Sequence, residues 1–375
     1  MSWAQEHSRS ERLAAEAEAA SRRGQRIPAE ELYRQAAAAE RDALAKLPLE
    51  KVRTRGVTAV SSVALWYKGR ALDEAERLAH EQMAAGSLPP FAQEQLRELL
   101  HLLWAARSAE AAGVRFVPGD VLVALKGGQI LHGGAPLDLI VRQVEGIQAI
   151  LFRTVEFLLK RAFRRHGPPE AMVQGMYRPW LFQAPAGSYQ FAVRVQEPEQ
   201  RPLWDDKPEV AQVTSTFFGI LRASAADPER DLPALVPDER YRAAFLSLSR
   251  NLAPTGKSFQ RLEVRDAGTP SDPGVLFGTD TRQQLNSVLR GARPPKPTSS
   301  SDVPLELRGT LRALHLDKDW LEIARPGQLP DHVRVDEAGE ALDDVIGPMV
   351  NRAVTLQVVR RGSKYLYRDI ELDEA

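Results

Sequence analysis

The 375-residue sequence contains no cysteine, and this absence excludes several kinds of chemistry at once. Disulfide bonds, thiolate–metal sites and cysteine nucleophiles are all ruled out. The 7 histidines occur singly, without an HExxH motif or a pair at metal-ligand spacing. We therefore predict no metal ion and no cofactor. No residue pattern indicates a catalytic site, so we expect a protein that is not an enzyme. The alternative is an enzyme whose site is assembled from residues that form no motif.

The sequence has neither an excess of one charge nor a long apolar run. Lys plus Arg and Asp plus Glu number 50 each, so the whole chain has no field that would attract nucleic acid or an anionic membrane. Locally the balance differs, because residues 113–300 carry 24 basic and 19 acidic side chains, whereas residues 301–375 carry 10 and 15. No apolar targeting segment and no bilayer-spanning stretch is recognisable. We expect a cytoplasmic protein.

The segment 119–165 is predicted to organise the rest of the chain. The apolar run Val121–Leu125 is followed by Gly127-Gly128, which supply the positive φ angles of a tight turn and predict a hairpin. A long amphipathic helix is predicted from Leu137 to Arg165, ended by Gly167-Pro168. Its apolar side chains recur at spacings of three and four: Ile140, Val144, Ile147, Leu151, Val155, Leu158 and Ala162.

The other side of this helix is predicted to face solvent, because it is charged. Its charged residues are Arg142, Glu145, Arg153, Glu156 and Lys160. A basic cluster closes the helix and consists of Lys160, Arg161, Arg164 and Arg165. One interpretation is that these cations complement the negative end of the helix dipole. The other is that they bind an anion or an acidic protein partner.

Residues 1–112 are rich in Ala, Glu, Leu and Arg and show helical periodicity throughout. Glycine and proline divide them into predicted helices at Arg9–Arg23, Ala29–Ala45, Val57–Lys68, Asp73–Ala85 and Pro90–Ala106. Two segments, AEELYRQAAAAERDAL and LDEAERLAHEQMAA, are similar to one another. They resemble the second helix of the tetratricopeptide repeat at Tyr33, Ala36 and Ala37 and at Leu72, Ala75 and Ala79.

This resemblance implies about two degenerate repeat units and a concave surface that binds a peptide or protein partner. Trp66, Tyr67 and Arg70 are the candidate residues of that surface. Alternatively, Trp66 belongs to the core and the helices serve only as a scaffold. The Gly and Tyr expected in the first helix of each unit are absent, and two units bury their own faces poorly. We therefore expect this region to pack against the long central helix.

Residues 113–290 combine strand and helix patterns, which predicts an α+β domain with helices on one face of a small sheet. Strands are predicted at 188–195, 260–265 and 275–277, and helices at 210–223, 239–252 and 279–289. Gly256-Lys257-Ser258 matches the end of a phosphate-binding loop. That motif needs a glycine where Asn251 stands, so a helix-to-strand turn is predicted here instead.

A Pro- and Ser-rich linker is predicted at 291–304, and residues 305–375 are predicted to form a small β domain. The predicted strands lie at 305–314, 320–323, 333–335, 354–359 and 365–372, with a helix at 342–350. This order resembles the OB-fold, many of whose members bind oligonucleotides. Under that resemblance Trp320, Tyr365 and Tyr367 are candidates for stacking on bases. The acidic balance of this region disfavours such binding, since it would repel a phosphate backbone.

The predicted fold class is therefore multidomain α+β, with an α-helical repeat region, a central α+β domain and a small OB-like β-barrel. The predicted function is that of a non-enzymatic cytoplasmic scaffold or regulatory protein that recruits a protein partner through its N-terminal helices. The alternative is a nucleic-acid-associated regulator that uses the OB-like domain and the basic end of the central helix.

Overall fold

The structure is a computed structural model that describes residues 2–111, 115–116, 121–183, 189–197, 207–267, 273–291, 302–325, 327, 331–338 and 343–373. Its contacts divide the chain into two compact units, Met1–Val114 and Arg115–Ala375. The predicted boundaries 1–112, 113–290 and 305–375 remain predictions, and most of the predicted linker 291–304 lies outside the described residues.

Within the described residues, the first unit consists of five helices. They are α1 (Trp3–Arg22), α2 (Arg26–Ala45), α3 (Val52–Lys68), α4 (Leu72–Ala84) and α5 (Pro90–Ala111). The predicted helices are therefore confirmed, although α1 and α3 begin several residues earlier than the periodicity indicates. Among the described residues, no helix of the chain combines the length and the apolar character needed to cross a membrane.

Small residues allow the helices of the first unit to approach one another closely. Ala36, Ala37 and Ala75 are completely buried in the core of this unit. A Cβ atom at Gly56 of α3 would lie 2.8 Å from the Pro89 side chain, which precedes α5. Glycine is therefore required where α3 meets the start of α5, because a proline ring offers little room to adjust.

The second unit begins with a sheet of six strands, counted over the described residues. They are β1 (Arg115–Phe116), β2 (Val121–Lys126), β3 (Pro179–Gln183), β4 (Gln190–Glu197), β5 (Arg261–Asp266) and β6 (Val275–Phe277). The order is β1-β4-β2-β5-β6, with β3 also paired to β4. All of these pairings are antiparallel.

Helices of the same unit cover one face of this sheet. They are α6 (Leu137–Leu158), α7 (Ala171–Met176), α8 (Val210–Ala226), α9 (Asp231–Leu235), α10 (Glu239–Leu252) and α11 (Thr279–Gly291). Alternate strand residues such as Val123, Phe191 and Val264 share one core with Ile147 of α6 and Phe217 of α8. The predicted helices α8, α10 and α11 are confirmed, whereas α7, α9, β1 and β3 were not predicted.

The hairpin predicted after β2 is wrong. Gly127 and Gly128 do adopt positive φ angles of 77° and 65°, but the chain beyond them does not return along β2. Instead β2 pairs with β4 and β5, and the Gln129 amide donates to the Ser258 carbonyl at 2.8 Å. The hydrogen bonds of β2 are therefore satisfied by strands that are distant in sequence, which local turn residues do not reveal.

The central helix α6 ends at Leu158, well before the predicted end at Arg165. Lys160 adopts a left-handed φ of 53°. Its amide donates to the Phe157 carbonyl, and the Arg161 amide donates to the Glu156 carbonyl at 2.9 Å. These two bonds form a Schellman cap, which closes the helix on a lysine rather than on the predicted Gly167. The basic cluster consequently lies after the helix and not along it.

The last part of the second unit is rich in strands. Its described elements are β7 (Asp302–His315), β8 (Trp320–Ala324), β9 (His332–Asp336), α12 (Asp343–Ile346), a 3₁₀ turn (Gly347–Met349), β10 (Ala353–Arg361) and β11 (Lys364–Leu372). The five described strands close a barrel in the order β10-β11-β9-β8-β7. The predicted strands are confirmed in order and approximate length, and the chain as a whole has a mixed α+β structure.

Candidate functional site

A shallow cavity of about 230 Å³ lies in the first unit, beside Trp66. Helices α2, α3 and α4 all contribute to it. Its lining consists of Arg41, Trp66, Glu74, Arg77, Leu78 and Glu81. The site is therefore built from successive helices, as is expected for a surface that is formed when helices stack side by side.

The cavity has an apolar floor and a charged rim. Trp66 and Leu78 are buried, with only 9% and 5% of their surfaces exposed. The Arg41 guanidinium lies 5.9 Å from the centre of the Trp66 ring, close enough for a cation–π contact. Arg77 and Glu81 form an exposed pair at 3.9 Å. Such exposed pairs contribute little to stability, so these side chains are available to a partner at small cost.

Tyr67 and Arg70, the other candidates from the sequence, do not line this cavity. Tyr67 follows Trp66 directly in α3 and therefore points about 100° away around the helix. Arg70 lies beyond the end of α3 in a left-handed conformation, and its guanidinium pairs with Glu110 of α5. Of the three predicted residues, only Trp66 belongs to the cavity.

The basic cluster after α6 divides into exposed and buried members. Lys160, Arg161 and Arg165 are exposed, and the last two pair with Glu170 at 3.5 Å and Asp319 at 3.3 Å. The Arg164 side chain is only 13% exposed and lies between two carboxylates, at 2.7 Å from Glu156 and 3.1 Å from Asp344. Arg164 is therefore occupied by internal carboxylates and is poorly placed to contact a partner.

Arg153 and Glu156 were predicted to face solvent, and this prediction is wrong. Arg153 is fully buried and donates to Asp344 of α12 at 2.7 Å and to the Arg164 carbonyl at 2.6 Å. Its guanidinium also lies 5.0 Å from the centre of the Phe163 ring. The two charged residues near the end of α6 are covered because the chain after Lys160 folds back over them, whereas Glu145, earlier on the same side, is exposed. This internal network connects α6 to the barrel.

Burial alters the titration of the groups around this network. Desolvation alone would lower the pKa of Arg164, but its hydrogen bonds to Glu156 and Asp344 outweigh this effect and raise the pKa. Burial, reinforced by the negative charge of Glu156, raises the pKa of Tyr241 to about 12. The Tyr241 hydroxyl donates to the Arg161 carbonyl at 3.2 Å. The segment that carries the basic cluster is thus fixed by both charged and neutral hydrogen bonds.

The three barrel aromatics proposed for base stacking do not form one surface. Trp320 is half-buried at the start of β8, with the Arg334 guanidinium 4.8 Å from its ring centre. Tyr367 is buried in the core, and Tyr365 packs against that core. A base could reach Trp320 without unfolding the barrel, but not Tyr367. Stacking on these residues remains a prediction that the burial of Tyr367 makes less favourable.

Comparison with family models, curated proteins and solved structures finds no match for this chain. The described residues contain no group of three His, Asp or Glu side chains that could hold a metal ion. The glycine–lysine–serine segment lies between α10 and β5, as the predicted helix-to-strand turn requires, and Gly256 has a φ of 90°.

Sequence reasoning missed an aromatic cluster on the sheet of the second unit. Trp180 and Phe182 of β3 both lie near Phe116 of β1, with ring centres 5.8 and 5.2 Å apart. Trp180 and Phe182 stand two positions apart, a spacing that would place both rings on one face of a strand, and this was available in the sequence. Their meeting with Phe116 was not, because it depends on the pairing of both β1 and β3 with β4.

Proposed function

We propose that this protein is a non-enzymatic interaction protein that recruits a protein partner through its N-terminal helices. The observation that carries the proposal is the cavity beside Trp66, in which an apolar floor is surrounded by charges of both signs. Binding sites for peptides commonly combine an apolar anchor pocket with charged groups that fix orientation. The proposed partner segment inserts one apolar side chain over Trp66 and pairs its own charges with the rim.

The arrangement of the helices supports a tetratricopeptide-like character for this unit. Each helix packs against the next one along the chain, and α3 also contacts α5. The resemblance rests on six residues, and five of them are buried in the core: Ala36 and Ala37 of α2 and Leu72, Ala75 and Ala79 of α4. The sixth, Tyr33, packs against that core. Helical repeats of this kind expose a surface formed by several helices, and partners bind there.

The strand-rich end of the chain has a supporting role in this proposal. The order of three strands, a short helix and two further strands, together with the closed pairing, supports the resemblance to an OB-fold. Two buried arginines of the α+β part form ion pairs with the strand-rich end: Arg153 pairs with Asp344, and Arg250 pairs with Asp369 at 2.6 Å. In this proposal the barrel acts as a scaffold or a second contact surface.

The test is a pull-down with the tagged full chain from its native host, in which the double variant Arg41→Glu/Arg77→Glu is compared with the wild type. Both side chains are about half exposed or more, so reversing their charge should leave the fold intact. The proposal expects a stoichiometric partner whose recovery falls at least about tenfold in the variant, since reversed charges at a contact cost several kcal/mol.

The matched control is Arg12→Glu, an exposed position on α1 that does not line the cavity. This variant should recover the partner as the wild type does. A photo-crosslinking residue at position 77 should then attach to that same partner. Equal recovery by the cavity variant and the control would refute a role for this cavity.

A further inference from the structure

The second unit carries an aromatic and basic surface on the sheet face opposite its helices. Residues that pair directly across two strands project to the same face. Trp180 pairs with Arg194, Phe182 with Ala192, and Phe116 with Gln196. The intervening residues Phe191, Val193 and Val195 belong to the core under the helices. The three aromatic rings therefore lie on the other face, which we call the aromatic face.

The rings of the aromatic face are fixed in position by contacts with one another and with arginines. Phe116 meets both Trp180 and Phe182 edge to face. The Arg194 guanidinium lies 4.6 Å from the centre of the Phe182 ring, and the Arg178 guanidinium lies 5.5 Å from that of Trp180. The Trp180 indole N–H donates to the Gln196 side chain at 3.1 Å. All three rings are half-buried, so part of each is accessible.

Positive charge continues along the same face. Lys126, Arg261 and Arg265 lie on it because they share the register of Leu122 and Ala124 across β2 and β5. Glu263 is the one acidic side chain on this face among the described residues, and Lys126 and Arg265 pair with it at 2.6 and 3.0 Å. Among the described side chains, this face therefore carries five cations (Lys126, Arg178, Arg194, Arg261 and Arg265) and one carboxylate.

We propose that the aromatic face binds single-stranded nucleic acid. Unpaired bases stack on aromatic rings and on guanidinium planes, both of which are present here. The phosphate backbone is attracted by lysine and arginine, and this attraction supplies most of the affinity of such complexes. Every nucleotide of a single strand brings a flat base for a ring together with a phosphate for a cation, whereas an acidic protein surface presents chiefly carboxylates. The chemistry therefore favours a ligand with both bases and phosphates.

This surface is independent of the cavity beside Trp66. It lies in the second unit, whereas the proposed protein-binding cavity lies in the first. It also differs from the barrel aromatics and from the basic cluster after α6, which the sequence had indicated as candidates for nucleic-acid binding. Failure of either proposal leaves the other intact.

The test is fluorescence anisotropy with the full chain and a labelled single-stranded RNA or DNA of about 12 nucleotides, a length that an open binding face can accommodate. The wild type should bind at about 50 mM salt and bind more weakly as salt is raised. The double variant Arg178→Glu/Arg194→Glu should weaken binding at least about tenfold and should reduce the salt dependence. Trp180→Phe should retain most of the binding, whereas Trp180→Ala should lose about tenfold.

The matched control is Arg240→Glu, an exposed residue in the first turn of α10, which packs in the core on the other side of the sheet. It makes the same type of charge reversal and should leave affinity within about twofold, since it lies off the binding face. Circular dichroism and thermal melting establish that each variant is folded. Absence of binding by the wild type at low salt would overturn the proposal. The proposal would also be overturned if Arg178→Glu/Arg194→Glu bound the single strand as tightly as Arg240→Glu does. The same holds if the wild type bound a duplex of the same length as tightly as the single strand.

Discussion

Arg153 of α6 donates to Asp344 of α12 at 2.7 Å, and this bond joins residues 191 positions apart in the chain. Arg153 is fully buried, and the Asp344 side chain is only 16% exposed. Arg164 contacts the same carboxylate, so the helix, the segment that follows it and the barrel meet at one charged centre. The network explains how the charged residues Arg153 and Glu156 of this helix can lie inside a core.

Replacing Arg153 by methionine should lower the free energy of unfolding by about 3 kcal/mol. Methionine fills part of the space, but Asp344 and Glu156 then remain in a buried environment with fewer cationic partners, and an unpaired buried charge is strongly destabilising. Chemical denaturation monitored by tryptophan fluorescence measures the change.

The control for this substitution is Arg165→Met, which removes an arginine from the same segment. The pair of Arg165 with Asp319 is about half exposed on both sides, so its loss should change the free energy of unfolding by less than about 1 kcal/mol. If the two variants had the same stability, the buried network would not make the contribution proposed for it.

The raised pKa of Tyr241 predicts a loss of stability at alkaline pH. Its folded pKa of about 12 lies above the ordinary value of 10.0, so the folded state holds the phenolic proton more tightly than the unfolded state. The contribution of the neutral Tyr241 phenol to the free energy of unfolding is complete below about pH 10 and is lost as the pH rises from about 10 to about 12. Between these limits the slope contributed by this group approaches about 1.4 kcal/mol per pH unit.

Tyr241→Phe separates this effect from other alkaline titrations. At neutral pH the variant should lose about 1 kcal/mol with the hydrogen bond to the Arg161 carbonyl. Above pH 10 its stability should fall less steeply than that of the wild type. The absorbance of tyrosinate in Tyr241→Phe should likewise lose a step near pH 12, which Tyr33→Phe should not remove. Parallel pH profiles for the wild type and Tyr241→Phe would contradict the assignment.

Local sequence signals predicted elements wherever the pattern is self-contained. The strands of the barrel were predicted because alternation along β7, β10 and β11 continues for many residues. Helix α10 was predicted from its amphipathic pattern after Pro237-Asp238, and Asp238 does cap it by accepting from two backbone amides. The end of α6 was not predicted, because Lys160 takes a conformation that local propensity assigns to glycine. Contacts with Asp344, far away in sequence, favour the early end of this helix.

The candidate sites were predictable only in part, for the same reason. Trp66 was identified as an aromatic residue in a helical repeat, and it does border a cavity. Tyr67 is the next residue on the helix and therefore points to a different face. Arg70 stands four positions after Trp66, a spacing that shares a face only within a helix, but α3 ends at Lys68 and Arg70 adopts a left-handed conformation. The aromatic face escaped detection because Phe116 and Trp180 become neighbours only through strand pairing.

Replacing Lys160 by glycine should stabilise the protein by about 0.5–1 kcal/mol. Lys160 holds a φ of 53°, and a side chain in this left-handed region costs roughly 1–2 kcal/mol. Relief of that cost should exceed the roughly 0.5–1 kcal/mol of additional chain entropy that glycine loses on folding.

Lys160→Ala is the matched variant, because it removes the same exposed charge but retains the Cβ atom that causes the strain. Denaturant titration should therefore rank Lys160→Gly above Lys160→Ala. An alanine variant as stable as the glycine variant would show that the cap at the end of α6 carries no such strain.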